Sequence, residues 1–257
     1  MKDRKELEAE FHNNREKDEQ RMPREEFEKK YPNKKLYSVT NLSHNYIKKI
    51  VKNWKGKKVL DYCCGVGKTS VMLAQIGCDV TGIDISEEEI KVAHTIAKDG
   101  GVLGRCHFVV GDAEHTNFED ESFDCVVCMG VLHHIDLDAA YKEIHRVLKK
   151  DGIVLGDEAL ANNPFFMLYR RRTPNLRTAW EVDHILHVRD IEYAEKYFWK
   201  LNIKYFHMAV IAIVPFKDTF LFKPLRALFN GIDILLCSIP GLQRWAWQGI
   251  FTLQGKK

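Results

Sequence analysis

The stretch that decides the fold is VLDYCCGVGKTS, residues Val59–Ser70 of this 257-residue chain. An apolar run that ends in an acidic residue, Asp61, predicts a β-strand, and Gly65 and Gly67 predict a tight turn after it. From Lys68 onward the pattern is that of a helix. Glycines let the backbone come close to a ligand, and the first turn of a helix presents free N–H groups. The stretch therefore predicts a ligand site where a strand turns into a helix.

Two later strands are also predicted to end in carboxylates. The strand Val80–Asp84 closes with an aspartate 17 residues after Gly67, where a carboxylate can accept hydrogen bonds from both hydroxyls of a ribose. The strand His107–Gly111 is followed by Asp112, whose carboxylate can reach the exocyclic amine of an adenine. Ligands of open α/β sheets bind outside the carboxyl ends of the strands. Three carboxylates at successive strand ends therefore predict one adenosine-binding edge.

Short apolar runs alternate with helical stretches along the rest of the chain, a pattern that predicts βαβ units and a parallel sheet. The predicted strands are Lys57–Asp61, Val80–Asp84, His107–Gly111, Phe123–Met129, Ile153–Asp157, Ile203–Val214 and Ile250–Gln254. The predicted helices are Lys68–Gln75, one capped by Ser86 that ends near Gly100, Asp138–Lys149 and Asp190–Lys200. The fold class is α/β, with a doubly wound, mostly parallel, seven-stranded sheet.

In these segments the chain resembles the class I S-adenosylmethionine (SAM)-dependent methyltransferases. The resemblance is closest to the broad group that contains ubiquinone/menaquinone biosynthesis methyltransferases and many small-molecule methyltransferases. It rests on Val59–Ser70, Val80–Ser86, Val109–Ala113 and Phe123–Ile135, and it covers roughly residues 45–160. It implies a Rossmann-like methyltransferase fold, SAM as cofactor and S-adenosylhomocysteine (SAH) as product.

The resemblance also implies which residues hold the cofactor. They are Asp61, Gly65 and Gly67 around the methionine part, Asp84 at the ribose, Asp112 and Ala113 beside the adenine, and Met129 facing the sulfonium, with Cys63 and Ile85 completing the set. The family usually has glycine where Cys63 stands, so the turn departs from the family pattern at this position.

Other nucleotide-binding patterns fit less well. A phosphate-binding loop needs glycine five residues before Gly67, where Tyr62 stands, and a dinucleotide fingerprint needs a third glycine where Ser70 stands. A nicotinamide-dependent oxidoreductase stays open as an alternative. So does a SAM-binding protein that does not catalyse and serves assembly or membrane attachment.

The loop after the fourth strand carries the candidate catalytic base. In the family the pocket for the methyl acceptor begins here, and His134 can take a proton from the acceptor as the methyl group moves in an in-line displacement. A role in orienting the loop or contacting the cofactor stays open. No metal site is predicted, because Cys125 and Cys128 are three residues apart on a predicted strand and point to opposite faces. They are expected to be core thiols.

The first 45 residues are predicted to form a separate helical arm. Of the first 35 residues 21 are charged, so the segment cannot build a core of its own. Its apolar pairs, Leu7 with Phe11 and Phe27 with Tyr31, recur at i,i+4 and predict helices lying on the domain. The charge density favours a solvated arm, and a lid over the active site is the alternative.

Residues 46–160 are predicted to be the SAM-binding core, and residues 161–257 the remainder of the sheet with two additions. The insertion 161–187 is arginine-rich and is expected either to clamp an anionic group or to pair with its own carboxylates. Residues 217–248 are expected to form a hydrophobic helical hairpin that packs on the domain or a second subunit, lines an apolar pocket, or lies on a membrane surface.

Composition narrows the partners. The net charge is +3, which gives no argument for nucleic acid, and seven cysteines without a secretory signal indicate reduced thiols in a cytoplasmic setting. The expected acceptor is a small molecule, apolar or lipid-like with an anionic group. Peripheral membrane contact and a homo-oligomer are left open.

Overall fold

The computed structural model describes residues 3–31, 38–173, 176 and 178–257. Its strands are β1 Lys58–Tyr62, β2 Asp79–Asp84, β3 Cys106–Val110, β4 Phe123–Met129, β5 Leu148–Ala159, β6 Phe198–Phe206 and β7 Gln248–Lys256. Its helices are α1 Arg4–Arg21, α2 Arg24–Lys30, α3 Asn41–Val51, α4 Lys68–Ile76, α5 Glu87–Asp99, α6 Leu137–Val147, α7 Pro164–Arg172, α8 Ala179–Asp183, α9 Val188–Glu192 and α10 Phe222–Leu236.

The seven strands form one sheet in the order β3-β2-β1-β4-β5-β7-β6. Strands β1 to β5 pair in parallel, whereas β7 is antiparallel to both β5 and β6. The predicted seven-stranded α/β sheet is confirmed, and the sheet is mixed. The carboxyl ends of β1 to β5 meet at one edge, which places the predicted carboxylates together.

Alternating residues of the central strands supply two cores, one on each face of the sheet. On β1, Val59 packs in one cluster and Leu60 in the other. On β4, Cys125 and Cys128 likewise belong to different clusters and are almost fully buried, as predicted for core thiols. Burial on both faces explains why these strands read as continuous apolar runs.

The segment between β5 and β7 differs from the sequence prediction. The predicted helix Asp190–Lys200 is shorter, because β6 already begins at Phe198. The predicted strand Ile203–Val214 ends at Phe206, because His207 adopts a left-handed φ of 64°, and Val210–Phe216 is a 3-10 helix. An apolar run of this length does not separate a strand from a buried helical segment by periodicity.

Residues 217–248 contain one α-helix rather than the predicted helical hairpin. After α10 the chain turns through Pro240 and Gly241, whose φ is 84°, and only one 3-10 turn follows, at Leu242–Trp245. Proline and a left-handed glycine stop a second helix from forming. None of the described helices is long and apolar enough to span a bilayer.

The N-terminal arm is helical, but α1 does not use the predicted apolar contact. Leu7 is 44% exposed, whereas Glu8 and Glu16 are the buried residues of the helix. The second apolar pair does pack, since Phe27 is buried and its ring lies 4.8 Å from that of Tyr31. Helix α1 therefore turns polar side chains towards the domain, and it packs against α5.

Candidate active site

The loop from β1 to α4 contains three left-handed residues within five positions. Cys63, Gly65 and Gly67 have φ values of 55°, 51° and 73°. A left-handed conformation is unfavourable for a residue with a Cβ atom, which explains why the family prefers glycine at the first position. Cys63 nevertheless completes the turn and lines the cavity that the loop borders. Burial holds the pKa of its thiol well above the usual range, so the thiol is neutral.

Asp61 lies beneath this loop. Its side chain is buried, and its Oδ2 accepts a hydrogen bond of 2.6 Å from the Ser70 hydroxyl. Burial raises the pKa of this carboxyl to about 7. Asp61 is not one of the described residues that line the cavity. It lies behind the wall, where its hydrogen bond with Ser70 holds the start of α4.

Gly67 also lies behind the wall. A Cβ atom built on it would stand 2.8 Å from the Cβ of Ala93 and 3.0 Å from the ring of Phe108. This close packing explains the glycine without a ligand, and the expected position of Gly67 beside the methionine part stays a prediction. Its missing side chain lets α4 approach α5 and β3. Gly65 does line the cavity, and a Cβ there would meet the Glu89 carboxylate at 2.9 Å.

Asp84 ends β2, Ile85 follows it, and both border the cavity next to this loop. Asp84 Oδ2 accepts a hydrogen bond of 2.8 Å from the Gly65 N–H, and its Oδ1 accepts one of 2.9 Å from Ser86 N–H. Burial and the nearby Glu89 charge raise the pKa of Asp84. Each carboxylate oxygen keeps a second lone pair, so the group can still accept bonds from two hydroxyls.

Asp112 and Ala113 lie at the end of β3, on the same cavity. The Asp112 Oδ1 accepts from Glu114 N–H at 2.9 Å, and its Oδ2 accepts from the Lys5 ammonium at 2.6 Å. The Tyr62 hydroxyl donates to the Ala113 carbonyl at 2.6 Å. The group predicted to receive an adenine amine is thus already paired with the N-terminal arm.

The end of β4 is organised by a buried carboxylate that sequence reasoning missed. Glu158 is fully buried, and its Oε1 accepts hydrogen bonds of 2.8 and 2.7 Å from the N–H groups of Val131 and Leu132. Its Oε2 lies 2.8 Å from His133 Nδ1. Burial lowers the pKa of His133, but the Glu158 charge and hydrogen bond outweigh it and leave the pKa raised. His133 therefore fixes the loop, and Met129 lines the cavity beside it.

His134, the predicted base, lies beneath helix α1. Its Nδ1 is 3.1 Å from Glu8 Oε2, and its ring lies 4.2 Å from that of His133. Burial and the His133 charge lower the pKa of His134, so its imidazole is neutral near pH 7. With the Nδ1 proton directed to Glu8, the Nε2 lone pair is the one that accepts a proton.

Helix α1 forms a polar roof over the cavity. Arg4 pairs with Glu114 and donates at 2.7 Å to the His134 carbonyl. Glu8 also accepts a short hydrogen bond from the Thr178 hydroxyl. One turn further on, His12 and Arg15 both pair with the buried carboxylate of Glu89, at 3.0 and 3.3 Å. On the side of α1 that faces the cavity, these charged side chains all pair with residues of the domain. The hydrophobic periodicity of the sequence did not indicate these pairs.

The insertion between β5 and β6 borders the cavity from the other side. Arg170 of α7 is buried and pairs with Glu181 of α8 at 3.3 Å, so of the two expectations self-pairing describes this arginine. Arg171 and Arg172 are exposed. The prediction also involved Pro174, Asn175 and Arg177, which lie outside the described residues.

The cavity enclosed by these elements has a volume of about 510 Å³, within the range of small-molecule sites. Asp84 and Asp112 offer carboxylate oxygens that can accept from ribose hydroxyls and an adenine amine, and Met129 lines the same cavity at the end of β4. The residues present therefore fit SAM. Two groups of side chains also come close enough to hold a metal ion: Glu8, His12 and His134, and His133, His134 and Glu181.

Comparison with known proteins agrees with this geometry. Residues 60–156 match the model of a family described as "Methyltransferase domain". A ubiquinone biosynthesis O-methyltransferase of Haemophilus ducreyi is 35% identical over 127 residues, which are 47% of this chain and 53% of that protein. The chain spans about half the length of the curated relatives it matches.

Solved structures share the fold at low identity. The PH0226 protein of Pyrococcus horikoshii OT3 has a TM-score of 0.57 and 23% identity, covering 85% of this chain and 90% of that one. The geranyl diphosphate C-methyltransferase of Streptomyces coelicolor A3(2), solved with SAH, has a TM-score of 0.57 and 13% identity, covering 83% and 79%.

Proposed function

We propose that this chain transfers the methyl group of SAM to a small-molecule acceptor, a proposal supported by the match of residues 60–156 to the model of a methyltransferase domain. The observation that carries the proposal is the cavity at the carboxyl ends of β1 to β4, where Gly65, Asp84, Asp112 and Met129 meet. SAM supplies an activated methyl group. The protein then contributes orientation, exclusion of water and acceptance of a proton.

Calorimetry with SAM and SAH tests this proposal directly. We expect both to bind, and we expect Asp84→Asn to weaken both about equally, because the ribose is common to the two. Lys91→Ala, a change on the outer face of α5, is the matched control. Well-folded protein that binds neither ligand would end the proposal.

Two alternatives predict different outcomes. A SAM-binding protein that does not catalyse would bind SAM and transfer no labelled methyl group to any fraction of a cell extract. A nicotinamide-dependent oxidoreductase would be stabilised thermally by NADH rather than by SAM. The observation that disfavours the oxidoreductase is Ser70 at the third glycine position, where its buried hydroxyl bonds to Asp61.

We keep His134 as a candidate base within this proposal. Its lowered pKa supports the role, because only a neutral imidazole can accept a proton. Its Nδ1 contact with Glu8 also links it to the roof, so the closed position of α1 and the state of His134 depend on each other.

We propose that α1 is a lid rather than a solvated arm. It supplies Arg4, Lys5, Glu8, His12 and Arg15 to the cavity wall, and Lys5 holds the carboxylate proposed for the adenine. A ligand must therefore enter with α1 displaced. Limited trypsin digestion tests this, since SAH should slow cleavage within α1 and leave cleavage after Arg244, whose side chain is 53% exposed, unchanged.

We also propose that the methyl acceptor is apolar and that the protein receives it at a membrane surface. Helix α10 packs Phe222, Leu225 and Phe229 on the domain, but Leu228 and Leu235 on its other side are 60% and 68% exposed. No residue of α10, which is described throughout, lines the cavity, so the expectation of an apolar pocket there is not supported.

The same segment carries the basic residues Lys217 and Lys223, and Arg244 follows α10 and pairs with Glu192. An apolar strip with basic flanks suits an anionic bilayer surface. Flotation with vesicles tests the contact: anionic vesicles should carry the protein, and Leu228→Glu/Leu235→Glu should abolish it. A dimer that those changes dissociate would assign the face to a second copy instead.

A further inference from the structure

A second carboxyl group closes the cavity at the end of β5. Asp157 lines the cavity and stands directly opposite Met129 in the parallel pairing of β4 and β5. The Gly130 N–H donates to the Asp157 carbonyl at 2.7 Å. Neighbouring strands lie about 4.8 Å apart, so this carboxyl is next to the strand end proposed to face the sulfonium.

One neutral amide holds this carboxyl. The Gln248 Nε2 donates to both Asp157 oxygens, at 2.7 and 2.9 Å, while Gln248 Oε1 is buried with no hydrogen-bond partner among the described residues. A carboxylate accepts from the NH₂ group, and a protonated carboxyl can donate to the carbonyl once the amide rotates. Gln248 can therefore serve both protonation states of Asp157.

Among the described residues, no cationic side chain pairs with Asp157. Burial raises its pKa to about 7, and the Glu158 charge adds to this. Burial keeps His44 of α3 and the Cys63 thiol neutral, His133 pairs with Glu158, and Arg170 of α7 pairs with Glu181 of α8. A proton acceptor needs a pKa near the working pH, and this site provides one.

We propose that Asp157, in place of the candidate base His134, accepts the proton of the methyl acceptor, and that this acceptor is an uncharged molecule whose attacking atom carries an O–H or N–H bond. The inference rests on the proposed methyl transfer. The attacking atom forms a bond to the methyl carbon as the sulfur–methyl bond breaks, and its proton passes to the Asp157 carboxylate. The positive charge of the sulfonium and the negative charge of the carboxylate disappear in the same step.

The wall beside Asp157 suits an apolar acceptor. Ala159 follows two residues later on the same face of β5, and the rings of Phe166 and Trp247 stack with centroids 5.1 Å apart. All three residues line the cavity. A flat apolar body on this wall would direct its polar group towards the carboxyl.

The pH dependence of SAM and SAH affinity tests the role of Asp157 without an acceptor. SAM carries the sulfonium charge and SAH does not, so an ionised Asp157 should favour SAM alone. By calorimetry from pH 5.5 to 8.5, the SAM/SAH affinity ratio of the native protein should rise on the order of tenfold, the effect of one pKa unit. Asp157→Asn should remove most of this rise and leave only the smaller part that comes from Asp61, whose pKa is also about 7, and His134→Asn should leave the rise intact.

Each outcome decides a different claim. A pH-independent ratio in the native protein, or a rise that Asp157→Asn keeps in full, overturns the inference while leaving methyl transfer standing. Loss of the rise in His134→Asn assigns the proton to His134 instead. If neither ligand binds, the proposed function fails. Asp157→Ser is a second variant, and if neither variant folds, infrared spectra of the native protein decide: at pH 7 SAM, but not SAH, must remove absorption of a protonated carboxyl.

Discussion

Replacing Gly67 with alanine separates two reasons for a glycine in the loop between β1 and α4. The left-handed φ of 73° costs alanine about 1–2 kcal/mol. The new Cβ would also meet Ala93 at 2.8 Å and Phe108 at 3.0 Å, and such overpacking costs about 1–3 kcal/mol more. We therefore expect Gly67→Ala to lower the free energy of unfolding by about 2–5 kcal/mol.

Gly101→Ala is the matched control. Gly101 also has a left-handed φ, 68°, but a Cβ atom there would have no neighbour within 4 Å. We expect only the backbone cost of about 1–2 kcal/mol. Urea unfolding followed by tryptophan fluorescence measures both variants. Equal losses would show that close packing of α4 against α5 and β3 is not the reason for Gly67.

Three further predictions concern the wall of the cavity. Lys5→Ala should weaken SAH binding by less than about fivefold, because a partly exposed ion pair contributes at most about 1 kcal/mol, and 0.5 M salt should remove the difference in calorimetry. Cys63→Gly should keep the melting temperature within a few degrees of that of the native protein. Cys63→Val should lower the free energy of unfolding by about 1–3 kcal/mol, because a β-branched residue tolerates a φ of 55° poorly. Equal melting temperatures for the two variants would contradict this. The pKa of Asp157 is about 4 in the unfolded chain and about 7 in the native protein, so the native protein loses stability as pH rises through this range. In urea titrations, the free energy of unfolding of Asp157→Asn should therefore rise by about 2–3 kcal/mol relative to that of the native protein between pH 5 and 8. A difference that stays constant with pH would argue against the raised pKa.

The core of the sheet could be predicted from the sequence because its strands are buried on both faces. The prediction for Phe123–Met129 matches β4 at both ends, since Val126 and Val127 pack on opposite sides of the sheet. The prediction of one strand over Ile203–Val214 was wrong, because the chain passes there from an edge strand into a buried 3-10 helix without a change in composition. The boundary is set by the backbone of His207, which no hydrophobic pattern encodes.

The sequence predicted those polar residues of the site that lie at strand ends. It did not predict the contacts that form only when distant segments pack together. Asp84 and Asp112 were found because each ends a strand, and the same rule applied to β5 would have found Asp157 and Glu158. Lys5 pairs with a carboxylate 107 positions away. Such a contact depends on how the arm folds back, and a run of charges in sequence reads as solvated.

The acidic groups of this site argue for the charge of its ligand. Asp84 and Asp157 line the cavity and Asp61 lies just beneath it, and burial raises the pKa of all three. A cationic ligand would offset part of this cost, while a diphosphate would add negative charge to it. A dinucleotide has to place its diphosphate at this loop, whereas the sulfonium and amino group of SAM bring positive charge to the same place. The three buried carboxyls at the ends of β1, β2 and β5 therefore favour SAM over a nicotinamide dinucleotide, independently of the glycine pattern.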